Sequence, residues 1–341
     1  MLMLGAAGFA WHLHRRSATQ APAAQAAPAP DGPAKTDGNP DKVPTLVHAH
    51  NLLLHKGPDF RIYVIWIRGR MERTHADVNP SFDNPETFVL EIDKGIIRAN
   101  ICDISKLLNS SLPANSPLTN VTVAPDGDDL KLRGTVKKVV PLPIELDGSV
   151  SPLPDGRILY HVKKLSVLKL PLKGLLGSFH LKLADLVQRA PMEGVEVTQN
   201  DIIFDTRTLL PPPHIHGKIS AARVRPPDLE VVYGDAPPDE NELSKWHNFL
   251  RLEQGTINFG KITMHNVDLT MIDTSPQNWF DLDLVNYQAQ LVNGYTRMTA
   301  QAGMEIYMPD VDEKAAKPAK AITLDWLKNR DASPPPDVKL K

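Results

Sequence analysis

Phe60–Met71 (FRIYVIWIRGRM) is the stretch on which the fold turns. Its apolar residues follow a period of two, the mark of a half-buried strand. Alternation places Ile62, Val64, Trp66 and Arg68 on one face and Tyr63, Ile65 and Ile67 on the other. Phe88–Ile97 continues the pattern, with Phe88, Leu90 and Ile92 opposite Val89, Glu91 and Asp93 and a turn at Lys94-Gly95. The next segment changes period. Ile104, Leu107, Leu108 and Ser111 are spaced as one helix face, Asp103 can cap it, and Pro113 stops it.

Strands resume beyond that helix. Val121–Val123 and Leu130–Val136 flank the turn Asp126-Gly127-Asp128-Asp129, and Ile144–Val150 and Ile158–Val162 flank Pro154-Asp155-Gly156. Connections this short join antiparallel neighbours. Leu175, Leu176, Phe179, Leu183, Leu186 and Val187 fit a second amphipathic helix, and Val195–Phe204, His214–Val224 and Leu229–Tyr233 return to strand. Residues 235–245 read as a linker, and 246–312 as a further β unit with strands over Leu252–Met264, Val267–Ile272, Phe280–Leu291 and Met304–Met308. The expected class is α+β and β-dominated. A long curved antiparallel sheet wraps one or two amphipathic helices within 43–234, with an additional C-terminal β unit.

The chain has 341 residues, of which 42% are hydrophobic and 23% charged, enough to build a sizeable core. A net charge of −2 with no dense Lys/Arg cluster argues against nucleic acid as the ligand. Its 31 prolines exceed the usual ~5% and gather in the tails and between strands, where a missing donor does least harm. The single cysteine, Cys102, excludes an internal disulfide and a multi-cysteine zinc site.

Both ends read differently from the body. Residues 1–16 begin with the apolar run MLMLGAAGFAWHL and finish on Arg15-Arg16, which fits a hydrophobic anchor or the remnant of a signal segment. The apolar run is shorter than the ~20 residues of a spanning helix. Residues 17–42, rich in Ala and Pro with no apolar side chain larger than alanine, read as a disordered tether. Residues 313–341 read as a mostly disordered tail. Hydrophobic segment, tether and folded body together predict a protein of the cell envelope. It would face the periplasm, held to the inner membrane by its N-terminus, although Arg15-Arg16 favours the cytoplasmic side of that segment.

Between about Phe88 and Tyr233 the chain resembles the bacterial LmeA-like phospholipid-binding envelope proteins, relatives of the tubular lipid-binding superfamily. The resemblance rests on GIIRANICDISKLLN, on the hairpin DGDDLKLRGTV, and on LYHVKKLSVLKLPLKGLLGSFHLKLADLV with its Leu-Pro-Leu turn. GVEVTQNDIIFDTRTLLPPP and DLEVVYG complete it. It implies a sheet around helices with acyl chains in the apolar groove between them. The candidate lining is Ile104, Leu107, Leu108, Leu165, Val167, Leu170, Leu175, Leu176 and Phe179. The alternative for each is an ordinary place in a dry core. Such a groove needs few polar groups, because each buried CH₂ contributes ~0.8 kcal/mol.

Catalytic signatures are absent from the sequence: it has no G-x-S-x-G elbow, no phosphate-binding glycine loop and no H-E-x-x-H. Two H-x-H pairs, His48/His50 and His214/His216, place two imidazoles each on one strand face and are the metal-ligating candidates. A third ligand would come from His55, His75, Asp205 or Asp273. Asp281 and Asp283 share a face but fit simple polar-out alternation, and Cys102 reads as a small buried residue. Trp66, Trp246 and Trp279 fit either a membrane-facing rim or anchors of a sheet edge or core. The expectation is a non-enzymatic, cofactor-free envelope protein that binds phospholipid-like apolar ligands. A scaffolding protein with a dry core and a metal-dependent hydrolase using the histidine pairs are the alternatives.

Overall fold

The computed structural model describes residues 43–310, apart from 57–59, 138–140, 168–191, 242, 244, 276–278 and 285–286. The segments read as an N-terminal anchor and tether, as a second amphipathic helix and as a C-terminal tail lie outside these residues. The described residues all belong to one compact unit.

The chain is β-dominated, as its alternation predicts. The strands form two sheets. The first begins with β1 (Thr45–His55), β2 (Arg61–Arg73) and β3 (Phe88–Asn100) as an antiparallel meander. Helix α1 (Ile101–Ser111) follows without a break. The second sheet is then built in sequence from β4 (Leu118–Asp126), β5 (Asp129–Lys137), β6 (Pro141–Pro152) and β7 (Ile158–Val167) through the two predicted turns. It is completed by the hairpin β8 (Val195–Thr198) and β9 (Asp201–Phe204), in the order β4-β5-β6-β7-β9-β8, all antiparallel.

A one-turn helix α2 (Thr206–Leu209) leads the chain back to the first sheet. There β10 (His214–Gly217) runs parallel to β3, and β11 (Ile219–Arg225) and β12 (Asp228–Tyr233) add an edge. On the other side come β13 (Phe249–Phe259), β14 (Ile262–Asp273), β15 (Phe280–Asp283), α3 (Tyr287–Asn293), β16 (Tyr295–Met298) and β17 (Met304–Met308). Because β13 pairs with β1 from Leu46↔Glu253 to His50↔Phe249, the C-terminal strands extend the first sheet rather than forming a sheet of their own. The sheet is mixed, since β15 and β17 run parallel to β1 and β14.

Several local expectations change for identifiable reasons. In β2 the pairing moves from Val64↔Ile97 to Trp66↔Ile96, an extra residue that reverses which side chains face the core. Ile62 and Val64 therefore share the main core with Ile67 and Met71, whereas Trp66 is buried on the opposite side. No turn forms at Lys94-Gly95. β3 runs through it, and a Cβ on Gly95 (φ +153°) would lie 2.5 Å from the Trp66 carbonyl oxygen, so glycine permits the strands' close approach.

The helix is capped by Asn100, whose Oδ1 accepts from the Cys102 amide at 2.9 Å, and not by Asp103. Cys102 is exposed, contrary to its expected burial. Val195–Phe204 and His214–Val224 each divide into two strands. The turn between β13 and β14 falls at Gly260-Lys261 rather than after Met264. Phe280–Leu291 is part strand and part helix.

The segment read as a linker packs across the side of the sheet that carries Trp66. The Trp66 indole donates to the Pro237 carbonyl at 3.1 Å, His50 Nε2 lies 2.8 Å from Asp239 Oδ1, and Glu240 pairs with Arg68 and Lys94. These contacts make it a strap rather than a spacer.

Candidate functional site

Each sheet carries its own apolar cluster, and three partly buried side chains, Ile104, Val150 and Phe204, pack against both. They mark where α1 and the sheets meet. At this junction lies an apolar cavity of about 110 Å³. Ile62 of β2, Ile97 and Ala99 of β3 and Val231 of β12 form the wall from the first sheet. Val123, Leu130, Leu132 and Ile158 form the wall from the second, and Ile104, Leu107 and Leu108 close the space from α1. A second apolar space of about 50 Å³ lies within the first cluster and shares Ile62 and Ile97 with the cavity.

Tyr160, Thr206 and Tyr233 supply the polar side chains of the wall. The Tyr160 hydroxyl reaches the Leu130 and Leu146 carbonyls, both at 2.9 Å. Burial raises its pKa, so it stays protonated and donates within the wall. Its ring sits against Gly148, where a Cβ would be 2.7 Å from the nearest ring atom.

Of the sequence candidates, Ile104, Leu107 and Leu108 line the cavity. Leu165 and Val167 pack against the second cluster from near the end of β7. Leu170, Leu175, Leu176 and Phe179 lie outside the described residues. The alternation of β3, β5 and β12 marks their apolar faces, but nothing in it shows that those faces oppose one another across a gap. That relation depends on the route of the chain between the sheets.

The cavity opens beside a polar cleft of about 550 Å³, and Phe60, Leu107, Leu209 and Leu210 line both spaces. Lys56, Glu86, Glu193, Ser110, Ser111, Thr208 and His214 supply the cleft's polar groups. Lys56 is 3% exposed, and its ammonium donates to the Pro213 carbonyl at 2.7 Å. Burial lowers its pKa to about 7. Lys56 carries no periodic or motif signal in the sequence. The fold buries it because β1 ends where the Pro211-Pro212-Pro213 segment crosses.

The histidine pairs do not build a metal centre. His48 and His50 share a face, as alternation requires, but both rings pack against Phe249 at centroid distances of 5.2 and 6.2 Å. His216 Nδ1 is 3.8 Å from Glu91 Oε2, and burial together with the Arg207 charge holds its pKa below the ordinary imidazole value. Among the described residues, no group of three or more His, Cys, Asp or Glu side chains is placed to hold a metal ion. Asp281 pairs with His55 at 2.7 Å, while Phe280 and Leu282 on either side of it are buried. Trp66 and Trp246 are buried and Trp279 is exposed. No described helix is long and apolar enough to cross a membrane.

Fold and cavity together define a β-dominated protein of two sheets with an apolar space between them. Compared with known protein families, curated proteins and solved structures, the chain matches none.

Proposed function

We propose that the protein binds an acyl-chain ligand of phospholipid type in the cavity between its sheets, handles it without catalysing a reaction, and does so in the cell envelope. The observation that carries this reading is the cavity wall, which is almost wholly apolar and continues at Phe60 and Leu107 into a polar cleft. An apolar interior with polar groups gathered at one end suits a ligand with a long tail and a polar head. Each methylene buried there contributes ~0.8 kcal/mol, so affinity needs few directed contacts. The resemblance of Phe88–Tyr233 to LmeA-like proteins supports the same ligand class. The hydrophobic N-terminal run followed by an Ala/Pro tether supports a membrane-anchored location.

A second reading, a scaffold with a nearly dry core, is favoured by the cavity's small enclosed volume of about 110 Å³, below the ~300–1,000 Å³ of ordinary ligand pockets. Native mass spectrometry of the purified protein separates the two. The binding reading expects a co-purified mass in the phospholipid range, and loss of it in Ile104→Trp and Leu132→Trp, which fill the cavity. A clean apo mass with no lipid taken up from phosphatidylethanolamine/phosphatidylglycerol vesicles overturns it in favour of the scaffold.

A further inference from the structure

Resting on that reading, the cleft beside the cavity specifies the ligand's head. Its charges are ordered by depth. Lys56 is buried and its backbone amide donates at 2.8 Å to the carbonyl of Phe60, which lines both spaces, whereas Glu86 and Glu193 line the same cleft as exposed residues. By burial, the groups therefore grade from apolar wall to buried cation to exposed anions. We infer that the cleft binds the head group of a zwitterionic phospholipid, with its phosphate against Lys56 and its ammonium outward at Glu86 and Glu193.

The covalent order of such a lipid (tails, phosphate, ammonium) matches the order of groups in the cleft. A purely anionic head would meet one buried cation and two carboxylates. Lys56 has a hydrogen-bond partner in the Pro213 carbonyl, and an ammonium can donate three such bonds, so it retains capacity for a phosphate oxygen. His214 borders the same cleft, and its buried Nδ1 has no hydrogen-bond partner among the described residues. Burial already costs the Lys56 charge much of its stability. An oxyanion beside it offsets that cost, and charge-assisted hydrogen bonds to phosphate are among the stronger ones.

Calorimetry with short-chain lipids in solution tests the assignment on the full chain. The probes are dihexanoyl phosphatidylethanolamine, dihexanoyl phosphatidylglycerol, dihexanoylglycerol and inorganic phosphate. The wild type should bind the ethanolamine lipid most tightly and inorganic phosphate not measurably. Lys56→Met should weaken both phospholipids at least tenfold and leave dihexanoylglycerol unchanged. The double variant Glu86→Gln/Glu193→Gln, at two exposed positions, should bring the ethanolamine lipid down to the affinity of dihexanoyl phosphatidylglycerol. It keeps the assignment testable should Lys56→Met not fold. Equal binding of all three lipids, unaltered by either variant, overturns the head-group assignment and leaves the apolar site standing. Phosphate alone binding as tightly as the lipids overturns it in favour of a free-anion site. Binding of none of the probes overturns both this assignment and the function on which it rests.

Discussion

Arg61 Nε lies 3.0 Å from Asp103 Oδ2, which fastens the first turn of α1 to the start of β2 beside the cavity. The Asp103 carboxylate is buried, and Lys106 Nζ approaches its other oxygen at 3.3 Å from one turn further along the helix. Both cations reach solvent, so the carboxylate is the buried member of the group. Removing it leaves no uncompensated buried charge, but it unfastens the helix that closes the cavity. Asp103→Ala should destabilise the protein by about 1–3 kcal/mol in urea unfolding. Arg61→Ala should cost as much or more, because it leaves the buried carboxylate with one exposed partner. A Asp103→Ala protein as stable as wild type would show that the pair does not hold α1 in place.

Leu107 lines both the cavity and the cleft and belongs to the main core. Truncation removes methylenes from a wall that is already incomplete, so the void enlarges rather than collapsing. Leu107→Ala should cost about 2–4 kcal/mol. Saturating lipid should recover part of that loss, since a ligand bound only by the folded state stabilises it by mass action. Thermal melts with and without phosphatidylethanolamine measure both effects. A Leu107→Ala protein with unchanged melting temperature would remove this residue from the core.

Gly148 sits at a register shift in β6, with the Tyr160 ring and the His161 carbonyl where its side chain would be. A Cβ there would lie 2.4 Å from that carbonyl oxygen, which is backbone and yields little. Gly148→Ala should therefore destabilise by about 1–3 kcal/mol through overpacking. It should also displace Tyr160 from the Leu130 and Leu146 carbonyls. Tyr160→Phe keeps the ring and loses only the hydroxyl, at about 1 kcal/mol. The two unfolding midpoints, compared side by side, separate the packing effect from the hydrogen bond.

How far the fold was legible in the sequence depended on whether the deciding force was local. Hairpins at Gly127-Asp128 and Asp155-Gly156 carry their own turn chemistry, and the helix after β3 carries its apolar spacing. Trp66 lies on the face opposite to the one alternation predicts, because one extra residue in β2 reverses parity and a bulge has no pattern of its own. The strap over 235–245 read as a spacer because its proline and acidic composition reports solubility, while its contacts to Arg68, Lys94 and Trp66 come from the sheet beneath it. Three of the nine proposed lining residues, Ile104, Leu107 and Leu108, face the cavity, since a helix's apolar stripe must face whatever lies inside. Lys56 was invisible. A lone lysine announces its burial only through the chain that crosses it.

Two acidic groups on the C-terminal half of the first sheet should respond to pH in opposite directions. Asp273 is buried at the end of β14, and burial pushes its pKa up to about 7 against the hydrogen bonds from Asn248 and the Ser275 amide. A carboxyl whose folded pKa lies above its unfolded value of 3.8 favours folding while protonated. Its contribution is thus fully present below about pH 4, declines as pH rises and is gone above about pH 7. Glu305 is also buried, but burial is outweighed there by hydrogen bonds from Tyr307 and Arg297 and by the Lys245 charge, which together hold its pKa below the ordinary value. Its stabilisation is present above the unfolded pKa of 4.5 and is lost as pH falls through the lower folded value. Asp273→Asn should therefore gain stability over wild type as pH rises from 4 to 8, by on the order of 2–4 kcal/mol. The change with pH is the diagnostic quantity, because a fixed offset from the amide's altered hydrogen bonding cancels. Glu305→Gln should lose stability at neutral pH and approach wild type below pH 4. Urea unfolding of both variants at pH 3, 4, 6 and 8 is the measurement, and parallel curves for Asp273→Asn and wild type from pH 4 to 8 would show that Asp273 is ionised throughout that range.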